Sequence, residues 1–287
     1  MDREPDPACI RGRSPGSVWG MRVLSLNVLV GGEERFDEIR AIVAAERPDL
    51  IVLQECVGWE DGERLRELAE AVGIPAAEEH LVVGAANPRP SGRRYNVCVA
   101  SRTPLRRHAV HAPPTVAHCV VEAELEPAGG GDPLLLLGTH LVAADEEARL
   151  AEVDELLRLL PPRLLAVRDC LLVGDLNGLS RHDPYPDDLA GRLAAAGIDK
   201  YGNPPRFAVI DRLEEAGWVD ALRARPRSSR WATAPRGGGG VLVDTRSDYI
   251  MLSPPLASRL DWADVVETGT ASDHHAVVAR LDWRGRS

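Results

Sequence analysis

Six apolar runs in this 287-residue chain carry carboxylate, amide or imidazole groups at one end. Asn27 closes Met21-Arg-Val-Leu-Ser-Leu, Gln54-Glu55 follow Leu50 to Leu53, His140 follows Leu134 to Thr139, and Asp175-Leu-Asn177 follow Leu171 to Gly174. Asp248 opens the run Tyr249 to Leu252, and Ser272-Asp273-His274-His275 precede Ala276 to Leu281. Oxygen donors of this kind are what hard divalent cations take. An imidazole beside them can exchange a proton or donate to a phosphoryl oxygen. Gathered on one rim, these groups would make a site for a hard metal and a phosphate.

Taken singly, each has a plainer use. Glu55 can be a helix N-cap partner, Asp175 and Asn177 can be turn residues ahead of Gly178, His140 a satisfied core histidine, and Asp273 a turn cap. For any one of them the plainer use has the edge, so the chemical reading rests on their order and company.

The elements that must position them follow from periodicity. The alternating run from Met21 to Val28 predicts a first strand. Glu33 to Glu46 has helical spacing (Phe36, Ile39, Ile42, Val43), and Pro48-Asp49 breaks it before the strand at Leu50 to Leu53. Further helices are expected at Glu60 to Val72, Asp145 to Leu160, Leu189 to Ala196 and Val209 to Ala216. Strands are expected at Val97 to Ser101, Val116 to Leu125, Leu134 to Thr139, Leu171 to Gly174, Tyr249 to Leu252, Asp261 to Glu267 and Ala276 to Leu281. Pro235 to Gly240, with four consecutive glycines, reads as a flexible surface loop. Strands and helices interleave irregularly, which favours a mixed-sheet α/β sandwich over strict β-α alternation.

The segments Leu24-Ser-Leu-Asn27, Leu53-Gln-Glu55, Gly138-Thr-His140-Leu141, Gly174-Asp-Leu-Asn177, Arg246-Ser-Asp248-Tyr-Ile250 and Ser272-Asp-His274 stand in the order found in the endonuclease/exonuclease/phosphatase superfamily, which the chain resembles. The resemblance implies a four-layer DNase I-like sandwich, two packed mixed sheets flanked by helices. It also implies roles. Glu55, with Asn27 and Asp273, would hold Mg²⁺ or Mn²⁺. Asp175 would orient and deprotonate the attacking water and Asn177 would position water or phosphate. Asp248 would pair with His274, whose imidazolium donates to a phosphate oxygen, and His140 would grip another. The family pattern puts function on His274, the first histidine after Asp273, rather than on His275. Apurinic endonucleases carry an acidic residue where this chain has Leu29 and a Tyr-containing motif at Thr139-His140-Leu141; that departure places the chain nearer the DNase, phosphatase and sphingomyelinase branches.

Two Arg-rich segments, Asn87 to Arg94 and Arg223 to Gly240, match no substrate motif. They read either as a phosphate-gripping rim or as solvated loops, and Arg94, Tyr95, Asn96 and Trp231 are the candidate substrate contacts there. Lys200 is the only lysine among 34 basic residues. The formal net charge of −10 argues against an extended polyanion-binding surface, which needs many Lys and Arg contacts. No apolar run approaches the ~20 residues of a membrane span, and residues 1–20 lack the apolar core of a signal peptide. A flexible leader over 1–20, with Met21 as a possible natural start, and one domain over 21–287 are therefore expected, in a cytoplasmic monomer. Five cysteines without metal-site spacing suggest neither disulfides nor zinc. The substrate is expected to be a phosphoester: a nucleic acid or nucleotide diester first, a small phosphorylated metabolite or lipid headgroup as the alternative. A non-catalytic binding protein is disfavoured because every expected position holds a competent residue type.

Overall fold

The computed structural model describes residues 20–127, 130–238 and 241–283. The leader ahead of Gly20, with Cys9, and two residues of the glycine run lie outside the described residues.

The first strand, β1 (Met21–Asn27), sends Met21 and Val23 into one apolar cluster and Leu24 and Leu26 into another, because successive side chains of a strand face opposite ways. Being covered on both faces lets it read as a nearly continuous apolar run. Helix α1 (Phe36–Glu46) crosses back to β2 (Leu50–Gln54), parallel to β1. After α2 (Glu63–Ala71), strands β3 (Leu81–Gly84) and β4 (Val97–Ser101) add antiparallel partners.

The chain then builds a second sheet from β5 (Leu105–His111), β6 (Val120–Leu125) and β7 (Leu134–His140). Helices α3 (Glu146–Leu159) and α4 (Pro162–Leu165) cross over to β8 (Cys170–Asp175), parallel to β7. Next come α5 (Leu189–Ala195), α6 (Ala208–Glu215), β9 (Val219–Asp220) and α7 (Ala221–Ala224). A two-stranded hairpin of β10 (Arg236–Gly238) and β11 (Val241–Val243) precedes β12 (Asp248–Leu252). Helix α8 (Pro254–Ala257) then leads to β13 (Leu260–Val266) and β14 (Ala276–Leu281), which return to the first sheet.

The sheets run β13-β14-β1-β2-β4-β3 and β5-β6-β7-β8-β12-β9. Val23, Val52, Val99, Leu136, Leu171, Val173 and Ile250 fill the space between them. Ile39, Val43, Leu65 and Leu68 of α1 and α2 cover the outer face of the first sheet, and Val153, Leu156, Ile210 and Leu213 of α3 and α6 cover that of the second. Helix, sheet, sheet, helix is the four-layer α/β sandwich expected. Among the described residues no helix is long and apolar enough to cross a membrane, and Cys56, Cys98, Cys119 and Cys170 are buried free thiols.

Several elements, β3, α4, α7 and α8 among them, were not expected, and three further differences have a clear physical reason. The strand expected from Val116 starts only at Val120: the amide of Ala117 goes to the Glu152 carboxylate and the carbonyl of His118 accepts from Asn87. The loop expected at Pro235 to Gly240 is in part the strand β10, paired with β11. Strand β5, Leu-Arg-Arg-His-Ala-Val-His, was not expected; it is an edge strand exposed over most of its length, where apolar alternation is not required.

Candidate active site

Strand direction gathers the six ends. Because β12 runs antiparallel to β8 and β14 antiparallel to β1, their first residues lie beside the last residues of β8 and β1. His140, Asp175 and Asp248 are direct register partners across β7, β8 and β12, and Asn27 pairs with Gln54 across β1 and β2.

Asn27 joins the two sheets. Its side-chain amide donates to Glu55 Oε1 and to Asp175 Oδ2, both at 3.1 Å, and its Oδ1 accepts from the Leu29 amide. Glu55 sits at φ 59°, and the facing residues Leu29, Val30, Gly31, Gly32 and Glu33 all have positive φ as well. Left-handed backbone costs a non-glycine residue roughly 1–2 kcal/mol, and strain of this kind collects where surrounding structure fixes a functional group. Here the bend turns the Val30 amide onto Glu55 Oε2 at 3.0 Å and the Gly31 amide onto the Glu55 carbonyl at 2.7 Å. At Gly174 a Cβ would fall 1.9 Å from the Thr139 carbonyl oxygen, so only glycine lets β7 and β8 approach just before Asp175.

Asp175 Oδ2 lies 3.5 Å from His140 Nε2 and 3.8 Å from His274 Nε2. His274 Nδ1 is 2.8 Å from Asp248 Oδ2, which places a proton on Nδ1 and turns Nε2 toward Asp175. Ser272 Oγ, bonded to the Asn27 carbonyl and to the His274 amide, fastens this loop to β1. Burial alone would raise the Asp175 carboxyl, but the His274 and His140 imidazoles and the Lys200 ammonium outweigh it and hold it below its ordinary value. Burial, with the Asp175 charge, pushes Asp248 the other way against the pull of His274. Two carboxylates with opposed shifts can serve two roles, one free to accept a proton and one set to orient an imidazole.

Burial lowers His140 to about 4, against the attraction of Asp175, so its ring is neutral near pH 7. Its Nε2 faces the Asn177 amide nitrogen at 3.2 Å. Asn177 also donates to the Leu141 carbonyl and accepts from Lys200 Nζ at 2.6 Å. His118 stacks on His140 with ring centroids 4.1 Å apart and planes 4° from parallel. Burial lowers His118 to about 2.

These groups line a cleft of about 360 Å³ bounded by Glu55, Arg89, Ser91, Tyr95, His118, His140, Ala143, Asp175, Asn177 and Lys200. A hollow of similar size beside α5 is lined by Leu193, Ile198, Asn203 and neighbours and carries one titratable group, Asp199. Of the residues singled out from sequence, Asn27, Glu55, His140, Asp175, Asn177, Asp248 and His274 converge. Asp273, beside His274, is half-buried. The set of three acidic or imidazole ligand atoms within 4.8 Å of one another among the described residues is Asp175, Asp248 and His274, without Glu55 or Asp273. A cation there would compete with the buried His274–Asp248 hydrogen bond, whereas Glu55 stands at the cleft wall, where water can complete a shell.

Of the four candidate substrate contacts, Tyr95 lines the cleft. Asn96 is fully buried and braces Ala86, Cys56 and Glu60. Arg94 donates to the Ala86 carbonyl, and Trp231 packs edge-on against Tyr185 at 5.2 Å. None of these three lines the cleft. His275 has its ring against Thr268 rather than Asp248. Sequence reasoning missed His118 and Lys200, and reached Arg89 only as part of the segment Asn87 to Arg94, read as a phosphate-gripping rim or a solvated loop. His118 had a usable signal: it precedes β6, which is antiparallel to β7, so the rule that found Asp248 applies to it too.

A family model described as Endonuclease/Exonuclease/phosphatase family matches residues 24–274. No curated protein matches. Among solved structures, an endonuclease/exonuclease/phosphatase from Beutenbergia cavernae DSM 12333 gives a TM-score of 0.66 at 19% identity over 91% of this chain and 71% of that one. An AP endonuclease from Archaeoglobus fulgidus gives 0.65 at 19% identity over 92% and 100%. The 3′ phosphatase NExo from Neisseria, bound to a product DNA hairpin, gives 0.65 at 18% identity over 92% and 100%. At such identities the structures attest the fold, and the family follows from the model that spans all six motifs: this chain belongs to the endonuclease/exonuclease/phosphatase family.

Proposed function

We propose that the protein hydrolyses phosphoester bonds by direct attack of water, with a divalent cation, Mg²⁺ or Mn²⁺, as cofactor. The observation that carries this reading is the placement of Asp175: it is bonded to Asn27, lies within 3.8 Å of His274 Nε2 and borders the cleft. The Glu55 carboxylate at the cleft wall fits a hard cation, since Mg²⁺ needs only one or two carboxylates beside water and substrate oxygens; the Asn27 nitrogen, which donates to Glu55 and Asp175 at 3.1 Å each, orients the two carboxylates. Glu55 would hold the ion with Asn27, through its Oδ1, and Asp273, and the ion would supply charge stabilisation at the phosphoryl and leaving oxygens.

The chain's own groups do the rest. Asp175, ionised, takes a proton from water at Oδ2 as the water oxygen bonds to phosphorus and the bond to the leaving oxygen breaks. His274, kept protonated by Asp248, donates from Nε2 to the oxygen on which charge gathers. Asn177 and His140 hold the phosphoryl group in line with the water. Phosphodiesters of nucleic acids or nucleotides are the first substrate class, in keeping with the DNA-bound 3′ phosphatase and the AP endonuclease of like fold. Monoesters are the second, favoured by the two cations, Arg89 and Lys200, in the cleft wall.

Incubating the full chain with Mg²⁺ and a panel of single-stranded and duplex DNA, RNA, mononucleotides and sugar phosphates tests this. Hydrolysis of at least one class, abolished by EDTA, is expected. Undiminished turnover in EDTA would remove the metal from the account, and phosphate release from monoesters alone would remove the diesterase.

A further inference from the structure

Two loops that flank the proposed cation ligands meet on one arginine. Arg35 lies in the 3-10 turn Glu33–Arg35 ahead of α1, and both of its terminal nitrogens go to main-chain carbonyls, Nη2 to Leu29 and Nη1 to Ala271, each at 2.6 Å. Leu29 belongs to the loop after Asn27, and Ala271 to the loop that continues through Ser272, Asp273 and His274. Thr270 repeats the tie, its hydroxyl donating to Glu38 Oε2 of α1 at 3.1 Å.

The Leu29 carbonyl and the Val30 amide are the two ends of one planar peptide unit, so a group that fixes the oxygen also fixes where the N–H points. That N–H donates to Glu55 Oε2 at 3.0 Å, while Asn27 Nδ2 holds Oε1 at 3.1 Å. A guanidinium on the carbonyl also polarises the unit and strengthens the N–H as a donor. Leu29 and Val30 bring no side-chain ligand of their own, so this loop serves Glu55 through its backbone. The backbone needs holding. Leu29 and Val30 both stand at φ 51°, a left-handed conformation that leucine and the β-branched valine adopt only where their surroundings impose it.

On the other side, the Ala271 carbonyl shares its peptide unit with the Ser272 amide. Ser272 Oγ donates to the Asn27 carbonyl at 2.6 Å and accepts from the His274 amide at 3.2 Å, which leaves Asp273 spanned between two fixed residues. One guanidinium thus sets peptide planes on both flanks of Asn27. Arg35 itself stands outside the lining of the cleft, so it acts through these loops and not on substrate.

We propose that Arg35 is the positioning residue of the cation site: by clamping the Leu29 and Ala271 carbonyls it aims the Glu55 carboxylate and the Asp273 loop, and affinity for a divalent cation depends on it. Its place in the reaction rests on the hydrolase reading, whereas its hold on the Val30 amide does not.

The variant that tests this is Arg35→Met, which keeps an aliphatic stem and removes both donors. In the metal-free full chain, hydrogen exchange at the Val30 amide is expected to quicken by about tenfold or more, the scale of one hydrogen bond to a charged group, while the amides of β2 keep their wild-type rates. An unchanged rate at Val30 would overturn the clamp, and equal quickening throughout β2 would reduce it to a general loss of stability. In a second arm, titration followed by the electron paramagnetic resonance signal of free Mn²⁺ is expected to give a Kd about 10–100-fold weaker in Arg35→Met than in wild type. Arg35→Lys, which can still donate to a carbonyl, is expected to lie between the two. The same Kd in Arg35→Met as in wild type would overturn the positioning role, whatever the activity. A wild-type chain that binds no Mn²⁺ would instead sink the cation reading, and the exchange arm alone would then decide whether Arg35 governs Glu55.

Discussion

His274 is useful only while Asp248 holds its Nδ1 proton and leaves Nε2 facing Asp175. Replacing Asp248 with Asn keeps the shape, but its amide can equally present N–H to the ring and no longer favours the imidazolium. Asp248→Asn is therefore expected to lower kcat by about 10²-fold or more, and His274→Ala by about 10²–10⁴-fold, each with the fold intact by circular dichroism. Activity within a few-fold of wild type in either variant would remove that pair from the mechanism. His118 and His140 make a second residue-scale prediction, on stability. Their folded values, about 2 and about 4, lie below the ordinary 6.5, so as pH falls the unfolded chain takes up these protons first. The stability is complete above pH 6.5 and is lost as pH falls toward the folded values. Between pH 7 and pH 5 that loss is about 2 kcal/mol per histidine. Urea midpoints should fall accordingly, and His118→Gln should remove roughly half of the pH dependence; a midpoint no lower at pH 5 than at pH 7 would mean that neither ring is held neutral by burial.

At the scale of elements, α3 decides how well the site is held. Its Glu152 is buried, and its two carboxylate oxygens accept from the Ala117 and Val142 amides, both at 2.6 Å. Those amides flank His118 and His140, so one side chain anchors both stacked rings from behind. Glu152→Ala would orphan two buried N–H groups, at about 1–3 kcal/mol each. A drop in thermal midpoint together with a lower kcat is expected, and an unchanged midpoint would contradict the anchoring. The helix itself was legible from its spacing and its Pro161-Pro162 stop, but this use of it was not: Glu146, Arg149 and Glu152 all point inward, against the rule that charged residues face solvent. Strand ends were legible because apolar runs stop abruptly at Asn27, Glu55 and Asp175. The start of β6 was not, because Val116 continues the apolar pattern while its neighbours' backbone groups have left the ladder for the cleft wall. Lys200 carried only a compositional hint, as the one lysine in an arginine-rich chain.

The whole molecule brings together residues as far apart as Asn27 and Ser272, whose bond spans 245 positions. No local pattern encodes that β14 returns to β1 or that β12 inserts beside β8; those pairings follow from burying both faces of β1, β2, β7 and β8 at once. The order of the six motifs carried the fold and the convergent residues, while of the cleft wall only the segment Asn87 to Arg94 was read from sequence, as a phosphate-gripping rim or a solvated loop, and the part around His118 and Lys200 became visible only in three dimensions. Net charge belongs to this scale too. With a formal charge of −10 and two cations at the cleft, binding to single-stranded DNA should depend weakly on salt, with a log–log slope no steeper than about −1.4 for two phosphate contacts. A slope of −5 or beyond would reveal an extended basic surface that this account lacks. The central claim, that Asp175 is where the two sheets' chemistry meets, is tested most directly by kcat for a hydrolysed phosphoester in Mg²⁺ with Asp175→Asn against wild type. The account predicts a loss of about 10²–10⁴-fold in a folded protein; turnover within threefold of wild type would contradict it.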